Sequence, residues 1–122
     1  YRANQASADL DPSIRDAVLR AWMGAQAYRL SAYHTVGRLQ QGATIGAESS
    51  TNKIFWSELD LEMHETAMRI LGARAELLPG DAAPGPEWLD GFLFAQAGPI
   101  YAGTNEIQRN IIAERLLGLP KS

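Results

Sequence analysis

The sequence predicts an all-α fold, an antiparallel helical bundle, and three observations support that prediction. Apolar residues recur at gaps of three and four along two long stretches, the spacing of one face of an α-helix. Prolines and glycines cluster between the apolar stretches and end them. No stretch has the two-residue alternation of a convincing strand. We therefore expect two long helices, a proline-rich loop and then two shorter helices.

The first helix is predicted from Pro12 to Gln41. Asp11 is a good N-cap, and the proline that follows it suits the first helical position. Small or apolar residues then repeat at helical spacing: Ile14, Val18, Trp22, Ala25, Ala32, Val36 and Leu39. Gly24 and Gly37 lie inside this helix, and either could be simply tolerated or could let another helix approach closely.

The second helix is predicted to begin with Ser49 or Ser50 as its cap and to run to about Gly72. Its apolar stripe comprises Phe55, Leu59, Met63, Ala67 and Ile70. Charged residues fall mostly outside that stripe, so an amphipathic helix with one broad buried side is expected.

A loop and two shorter helices are predicted for the rest of the chain. Three prolines and two glycines interrupt any helix between Leu78 and Pro86. A third helix is expected over Glu87 to Gln96. Thr104 is the expected N-cap of a fourth helix, which ends before Gly118 and whose apolar face comprises Ile107, Ile111, Ile112, Leu116 and Leu117.

The amino-acid composition excludes several classes of function. The 122 residues form one ordinary domain, with net charge −3 and no cysteine. Disulfide scaffolds, thiolate zinc sites and cysteine nucleophiles are therefore excluded. Eleven basic against fourteen acidic residues argue against nucleic acid as a partner, and no apolar run is long enough for a membrane span. Nothing resembles a signal peptide, so a cytoplasmic protein is expected. The missing initiator methionine suggests a fragment of a longer chain.

Isolated reactive residues give only weak signals. His34 and His64 lie on different predicted helices without metal-ligand spacing, so surface or interface roles are expected and no metal site is predicted. Ser49 and Ser50 lack a nucleophile elbow and are better explained by helix capping. The aromatic residues have helical spacing, which favours a core or an interface over a ligand cage.

One segment, residues 99–120, is more specific. Its sequence is PIYAGTNEIQRNIIAERLLGLP. Gly103 comes directly before a helix that opens with Thr104, Asn105 and Glu106. Such an opening presents backbone N–H groups, a hydroxyl and an amide in a small volume, which could hold a phosphate, a carbonyl or a flavin edge. A capped amphipathic helix without a ligand explains the same spacing.

This segment strongly resembles the C-terminal signature of the acyl-CoA dehydrogenase family. The matching residues are Tyr101, Gly103, Thr104, Ile107, Gln108, Arg109, Ile111 and Ile112, followed by the run from Ala113 to Gly118. The helical layout before the signature also fits, so the resemblance covers essentially the whole chain. Family members have an N-terminal helical domain, a middle β domain and a C-terminal four-helix domain. The resemblance implies that residues 1–122 are most of that last domain, beginning after its first long helix.

The resemblance implies FAD as cofactor and an acyl-CoA thioester as substrate, which a carboxylate base and the flavin dehydrogenate between the α and β carbons. It places Gly103, Thr104, Asn105 and Glu106 against the FAD and implies a homo- or hetero-oligomer in lipid metabolism. The glutamate that usually serves as base is replaced by Ala102, so no catalytic residue is assigned in this chain. Two explanations stay open: a base on an earlier helix, or a subunit that has lost its base.

The resemblance departs from the family at a second place. Many members have a glutamine and a Gly-Gly pair that reach the FAD of a neighbouring subunit. This chain has Arg69, Gly72 and Ala73 in that region, and only Gly72 matches. Arg69 could meet a pyrophosphate by charge or could face solvent.

Overall fold

The computed structural model describes residues 11–76 and 86–121 and confirms the all-α prediction. Four α-helices follow one another: α1 (Pro12–Gln40), α2 (Glu48–Leu71), α3 (Pro86–Ala95) and α4 (Asn105–Ile111). A 3₁₀ turn (Gly72–Glu76) extends α2, and a π-helical turn (Ile112–Leu116) extends α4. Residues 11–76 and 86–121 contain no strand. Most of the proline-rich loop predicted from Leu78 to Pro86 lies outside the described residues.

Helix α1 has the predicted start and nearly the predicted end. The Asp11 carboxylate accepts a hydrogen bond of 2.8 Å from the backbone N–H of Ser13, and proline occupies the first turn. Gly42 follows the helix with φ +86°, a left-handed conformation that glycine adopts without a steric penalty. Local capping chemistry therefore sets both ends of α1.

The start of α2 corrects the expectation that Ser49 or Ser50 is the N-cap. The helix begins at Glu48, and its cap residue Ala47 provides no side-chain hydrogen bond. The Ser49 hydroxyl instead donates to the carbonyl of Gly46 over 2.9 Å, while Ser50 is buried. The turn from Gly46 starts the helix earlier because its backbone carbonyls already accept from residues 49 and 50.

Helix α2 is the central element, because α1, α3 and α4 all pack on it. Its buried residues are small and polar: Ser50, Ser57 and Thr66. The stripe from Phe55 to Ile70 is less buried than predicted: Leu59, Met63, Ala67 and Ile70 are half-buried, and Phe55 is 41% exposed. A helix with neighbours on several sides buries the small residues where backbones approach most closely.

At Gly24, the side chain of Leu59 on α2 lies close to the backbone of α1. A Cβ at Gly24 would lie 2.8 Å from Cδ1 of Leu59, whereas nothing lies within 4 Å of a Cβ at Gly37. The close-approach alternative therefore holds for Gly24 and simple tolerance holds for Gly37. Further along the same interface, the rings of Tyr28 and Phe55 stack with centroids 6.2 Å apart.

Helices α3 and α4 occur in the predicted order, but α4 differs from the prediction in its length and in its exposure. Helix α3 lies within one residue of the predicted range. Helix α4 is shorter than expected, because the chain changes to π-helical hydrogen bonding at Ile112, and Gly118 then takes φ +68°. Its predicted apolar face is largely uncovered, since the exposed residues include Ile107, Leu116 and Leu117.

The described bundle buries few apolar side chains. Its buried apolar residues are three alanines, Ala17, Ala75 and Ala95. The outer side of α1 exposes large residues: Leu19, Trp22, Met23, Leu30 and Tyr33. The aromatic residues are therefore not a core in this chain, with Trp22 63% exposed. Within residues 11–76 and 86–121, no helix has the length and hydropathy that crossing a bilayer requires.

Candidate functional site

The segment between α3 and α4 forms a compact backbone corner, residues 97–104, which we call the glycine corner. Its first turn is closed by hydrogen bonds from the N–H groups of Ile100 and Tyr101 to the carbonyl of Ala97. The N–H of Asn105 then donates to the carbonyl of Pro99 over 2.9 Å. The corner is therefore fixed at both ends by its own backbone.

Two successive residues of the glycine corner adopt positive φ. Ala102 has φ +55° and Gly103 has φ +86°. The first value is unusual because a left-handed conformation costs a residue with a Cβ about 1–2 kcal/mol. Ala102 is, among the described residues, the one non-glycine residue with positive φ. The position that holds a glutamate in many relatives of the signature thus has a constrained backbone in this chain.

Gln108 closes the glycine corner from α4. Its side-chain amide donates to the carbonyl of Ala102 over 3.0 Å. A Cβ at position 103 would lie 2.8 Å from the same amide nitrogen. Glycine is therefore required at this position for two reasons, its φ and the close approach of Gln108.

Thr104 caps α4 as the sequence predicts. Its backbone is extended, with φ −60° and ψ 158°, and its hydroxyl accepts from the N–H of Ile107 over 3.4 Å. The Glu106 carboxylate lies in the first turn of the same helix. A hydrogen bond from its own backbone N–H holds its pKa below the ordinary value of 4.5, and Thr104, Arg109 and Lys53 lower the pKa further. The carboxylate therefore suits the helix start, as expected.

The residues expected to meet a cofactor divide into two groups. Gly103 and Glu106 are exposed and Thr104 is half-buried, so the glycine corner is open on its outer side. Asn105 is only 3% exposed, and its side chain faces α2 instead. Whether these four residues contact FAD stays a prediction.

Asn105 joins α4 to α2 through a polar cluster. Its amide oxygen accepts from the Lys53 ammonium over 2.7 Å, and its amide lies 3.2 Å from the hydroxyl of Ser57. The Glu58 carboxylate accepts from Asn105 over 3.4 Å and from Arg109 over 2.6 Å. Sequence reasoning missed Lys53 and Ser57, because they lie about fifty positions from their partner and share no motif with it.

Aromatic side chains surround the first turn of the glycine corner. The ring of Tyr101 lies 6.1 Å from that of Trp56 and 6.3 Å from that of Phe94, both tilted. Phe94 is 69% exposed and the neighbouring Ile100 is 65% exposed. The open side of the corner is therefore bordered by apolar surface.

The two histidines do not form a metal site in the described chain. The imidazole Nδ1 of His64 lies 2.9 Å from the carbonyl of Asp60, and its ring packs against Trp88 at 5.8 Å. His34 is exposed on α1. Residues 11–76 and 86–121 contain no cluster of three or more potential metal ligands.

Arg69 contacts α1. Its guanidinium donates to the hydroxyl of Ser13 over 2.7 Å and lies close enough to Asp11 to lower the pKa of that carboxyl, after the larger effect of the Ser13 N–H. Arg69 therefore does not simply face solvent, because its side chain hydrogen-bonds to the first turn of α1. Gly72 ends α2 with φ +56°.

Comparison with known proteins identifies the family. A model of the acyl-CoA dehydrogenase C-terminal domain matches residues 2–117. The chain belongs to the acyl-CoA dehydrogenase family. Acyl-CoA dehydrogenase IpdE1 of Mycolicibacterium smegmatis (strain ATCC 700084 / mc(2)155) is 39% identical over 119 residues, which are 98% of this chain and 29% of that protein. Acyl-CoA dehydrogenase IpdE1 of Mycobacterium tuberculosis (strain ATCC 25618 / H37Rv) is 37% identical over 121 residues, 98% of this chain and 30% of that protein.

A solved structure confirms the fold. The Tcur3481-Tcur3483 steroid ACAD superposes with a TM-score of 0.79, covering 92% of this chain and 30% of that one. At 23% sequence identity, this likeness concerns the fold alone. The acyl-CoA dehydrogenase domain described here thus spans about 30% of the length of the relatives it matches.

Proposed function

We propose that this domain belongs to a longer FAD-dependent acyl-CoA dehydrogenase, which removes hydrogens from the α and β carbons of an acyl-CoA thioester. The observation that carries the proposal is the open glycine corner directly before α4, in a chain that matches the family over residues 2–117. Family membership supports an oxidoreductase. The FAD cofactor, the acyl-CoA substrate and a cytoplasmic location are proposals.

The glycine corner fits a planar flavin edge in its chemistry. Gly103 has no side chain on the exposed surface, so a ring system can approach its backbone closely. The hydroxyl of Thr104 and the carboxylate of Glu106 lie beside it at the start of α4. When bound, FAD would accept the hydride from the substrate. We propose that Gly103, Thr104 and Glu106 border the cofactor and that Asn105 places them.

The proton acceptor is proposed to lie outside this domain's glycine corner. Ala102 has a methyl side chain, which cannot take a proton, and its φ of +55° fixes the backbone there. A carboxylate elsewhere in the longer chain would supply the base in an active enzyme. The same observation favours a second candidate function, a base-less subunit that works within a hetero-oligomer.

The test of the proposed function uses the full-length protein. We expect a yellow protein whose visible flavin absorbance bleaches when an acyl-CoA is added without oxygen. Straight-chain and steroid acyl-CoA thioesters are both to be tried, because the solved fold relative is named a steroid ACAD. A colourless protein that FAD cannot reconstitute would contradict the proposal.

A mixing experiment separates the two candidate functions. An active homo-oligomer bleaches with acyl-CoA alone and loses that reaction when one glutamate in the longer chain is replaced by glutamine. A base-less subunit binds FAD but bleaches only after a second, base-bearing subunit is added. Bleaching by the isolated full-length protein would reject the base-less alternative. Bleaching that requires the second subunit would reject the homo-oligomer.

A further inference from the structure

The buried side chains of the polar cluster beneath the glycine corner are hydrogen-bonded to one another and to α2. The Ser57 hydroxyl donates to the carbonyl of Ile54 over 3.0 Å, which leaves its oxygen free to accept from the Asn105 amide nitrogen at 3.2 Å. The amide oxygen of Asn105 accepts from Lys53 at 2.7 Å. No buried side-chain nitrogen or oxygen within residues 11–76 and 86–121 is left without a partner. A buried hydrogen-bonded cluster of this kind stabilises one arrangement of its side chains over others.

Two members of the cluster are buried. Ser57 is 0% exposed and Asn105 is 3% exposed. Gly98 packs directly on Ser57, since a Cβ at Gly98 would lie 3.4 Å from Cβ of Ser57. Ser57 therefore contacts Gly98 near the start of the glycine corner and Asn105, which directly follows the end of the corner.

Asn105 connects this buried cluster to the exposed backbone. Its own N–H donates to the carbonyl of Pro99, and it follows Gly103 by two positions. A change in the Asn105 side chain therefore moves both the closing bond of the corner and the first residue of α4. Lys53 and Ser57 hold that side chain from α2.

We propose that Ser57, acting through Asn105, is a positioning residue that fixes the glycine corner in the conformation that receives the flavin. This inference rests on the proposed function for the identity of the ligand. Ser57 does not reach the open surface, so its effect is transmitted by the Asn105 side chain and the Gly98 contact. Removing the hydroxyl takes away the 3.2 Å partner of the buried Asn105 amide nitrogen, which keeps only its 3.4 Å contact with Glu58, and loosens the corner.

The chain offers a control in a second serine–asparagine pair, which joins α1 to α2 away from the glycine corner. The Ser31 hydroxyl donates to the Asn52 amide oxygen over 3.0 Å. Ser57→Ala and Ser31→Ala therefore each remove one hydroxyl that bonds an asparagine amide of another helix, and Ser57→Ala also removes the bond to the Ile54 carbonyl within α2. Comparing them separates a loss of stability from a loss of positioning.

The experiment measures two quantities on full-length protein, at a temperature where both variants are folded. The first is amide hydrogen exchange of the peptide covering residues 99–106 without FAD. The second is the FAD dissociation constant, from the quenching of flavin fluorescence on binding. For Ser57→Ala we expect exchange to speed up and FAD affinity to fall by roughly fivefold each, the equivalent of one ordinary hydrogen bond. Ser31→Ala is expected to change neither, even where its melting temperature falls equally.

Each other outcome counts against the inference. Unchanged exchange in Ser57→Ala shows that the cluster does not fix the corner. Faster exchange with unchanged FAD affinity, or an equal loss of affinity in Ser31→Ala, shows that the corner's order does not govern the cofactor. A wild-type protein that takes up no FAD contradicts the proposed function itself, whereas the exchange result still reports on the corner.

Discussion

Ala102 holds a backbone conformation that favours glycine. Its φ of +55° is maintained by the Gln108 side chain, which donates to the Ala102 carbonyl, and by the neighbouring Gly103 at φ +86°. Residues held in such regions store strain that the surrounding structure must offset, and they cluster at functional sites. In this domain the strain lies where the family signature usually has a carboxylate.

Replacing Ala102 with glycine is predicted to stabilise the protein. Glycine removes a left-handed penalty of about 1–2 kcal/mol but gains flexibility in the unfolded chain, so a net increase of about 0.5–1 kcal/mol in the unfolding free energy is expected. Urea denaturation measures it. Ala27→Gly in the exposed middle of α1 is the control, with an expected loss of about 1 kcal/mol. Destabilisation by both variants would show that Ala102 is not strained.

Glu106 is predicted to make stability depend on acid pH. Hydrogen bonding by its own N–H and by Thr104 lowers its pKa below 4.5 in the folded state. Its contribution is therefore present above pH 4.5 and is lost as the pH falls through the folded pKa. Glu106→Gln should differ from wild type at pH 7 in thermal melts, and the two should converge as the pH falls below the folded pKa of Glu106. A constant difference across that range would contradict the assignment.

At the scale of the helices, small residues decide how closely the elements approach. Gly91 on α3 faces His64 on α2, and a Cβ there would lie 2.8 Å from Cδ2 of the imidazole. That ring is held by the Asp60 carbonyl and by Trp88, so it has little room to move. The bundle's geometry is therefore set by glycine, serine and alanine contacts as much as by the apolar stripes.

A pair of glycine substitutions tests this view. Gly37→Ala meets nothing within 4 Å and is predicted to stabilise the protein by about 1 kcal/mol, the helix-propensity difference. Gly91→Ala has the same propensity gain but clashes with the imidazole, so a net loss of about 1–2 kcal/mol is expected. Chemical denaturation of both variants measures the contrast. Equal stabilisation by the two would show that the α2–α3 contact is looser than described.

Short-range sequence patterns predicted most of the helices. The features that these patterns missed depend on contacts between residues far apart in the sequence. Asp11 and Thr104 could be identified as caps because a cap depends on three or four adjacent residues. The burial of Ser57 could not, because it depends on Asn105, forty-eight positions away. The stripe beginning at Phe55 was expected to be buried, but burial depends on what packs against a helix as well as on its pattern.

The location of the candidate site could be predicted from the sequence, but the orientation of its residues could be predicted only in part. The Tyr101–Gly118 signature located the glycine corner, and the positive φ of Gly103 agrees with the need for glycine there. Residues 103–106 show no pattern that would predict that Asn105 turns inward while Gly103 and Glu106 remain exposed. That division follows from the Lys53 and Ser57 partners on α2, which no local pattern reveals.

At the scale of the whole molecule, the described residues expose many large apolar side chains. Its buried apolar side chains, among the described residues, are alanines, while α1 and α4 expose leucine, isoleucine and tryptophan. Exposed apolar faces of this kind mark surfaces that other parts of a protein or other subunits cover. We therefore propose that the domain works within a larger chain and an oligomer.

The isolated 122-residue chain is predicted to self-associate and to show no dehydrogenase turnover. Light scattering should give a mass above that of a monomer, because the outer face of α1 is apolar. Replacing Trp22 and Leu30 together with glutamate should reduce the association. Replacing the exposed Ala32 with glutamate should not, because Ala32 is not three or four positions from any outer-side residue of α1. A wild-type chain that stays monomeric at high concentration would contradict the prediction.

The glycine corner is the proposed place where the cofactor is bound. A structure of the full-length protein with FAD tests this most directly, by the distance from the isoalloxazine ring to Gly103. We predict van der Waals contact between the ring and the Gly103 backbone, with Thr104 and Glu106 beside it and the Asn105 side chain still turned toward Ser57. A flavin bound away from residues 102–106, or a corner covered by another part of the protein, would contradict the account.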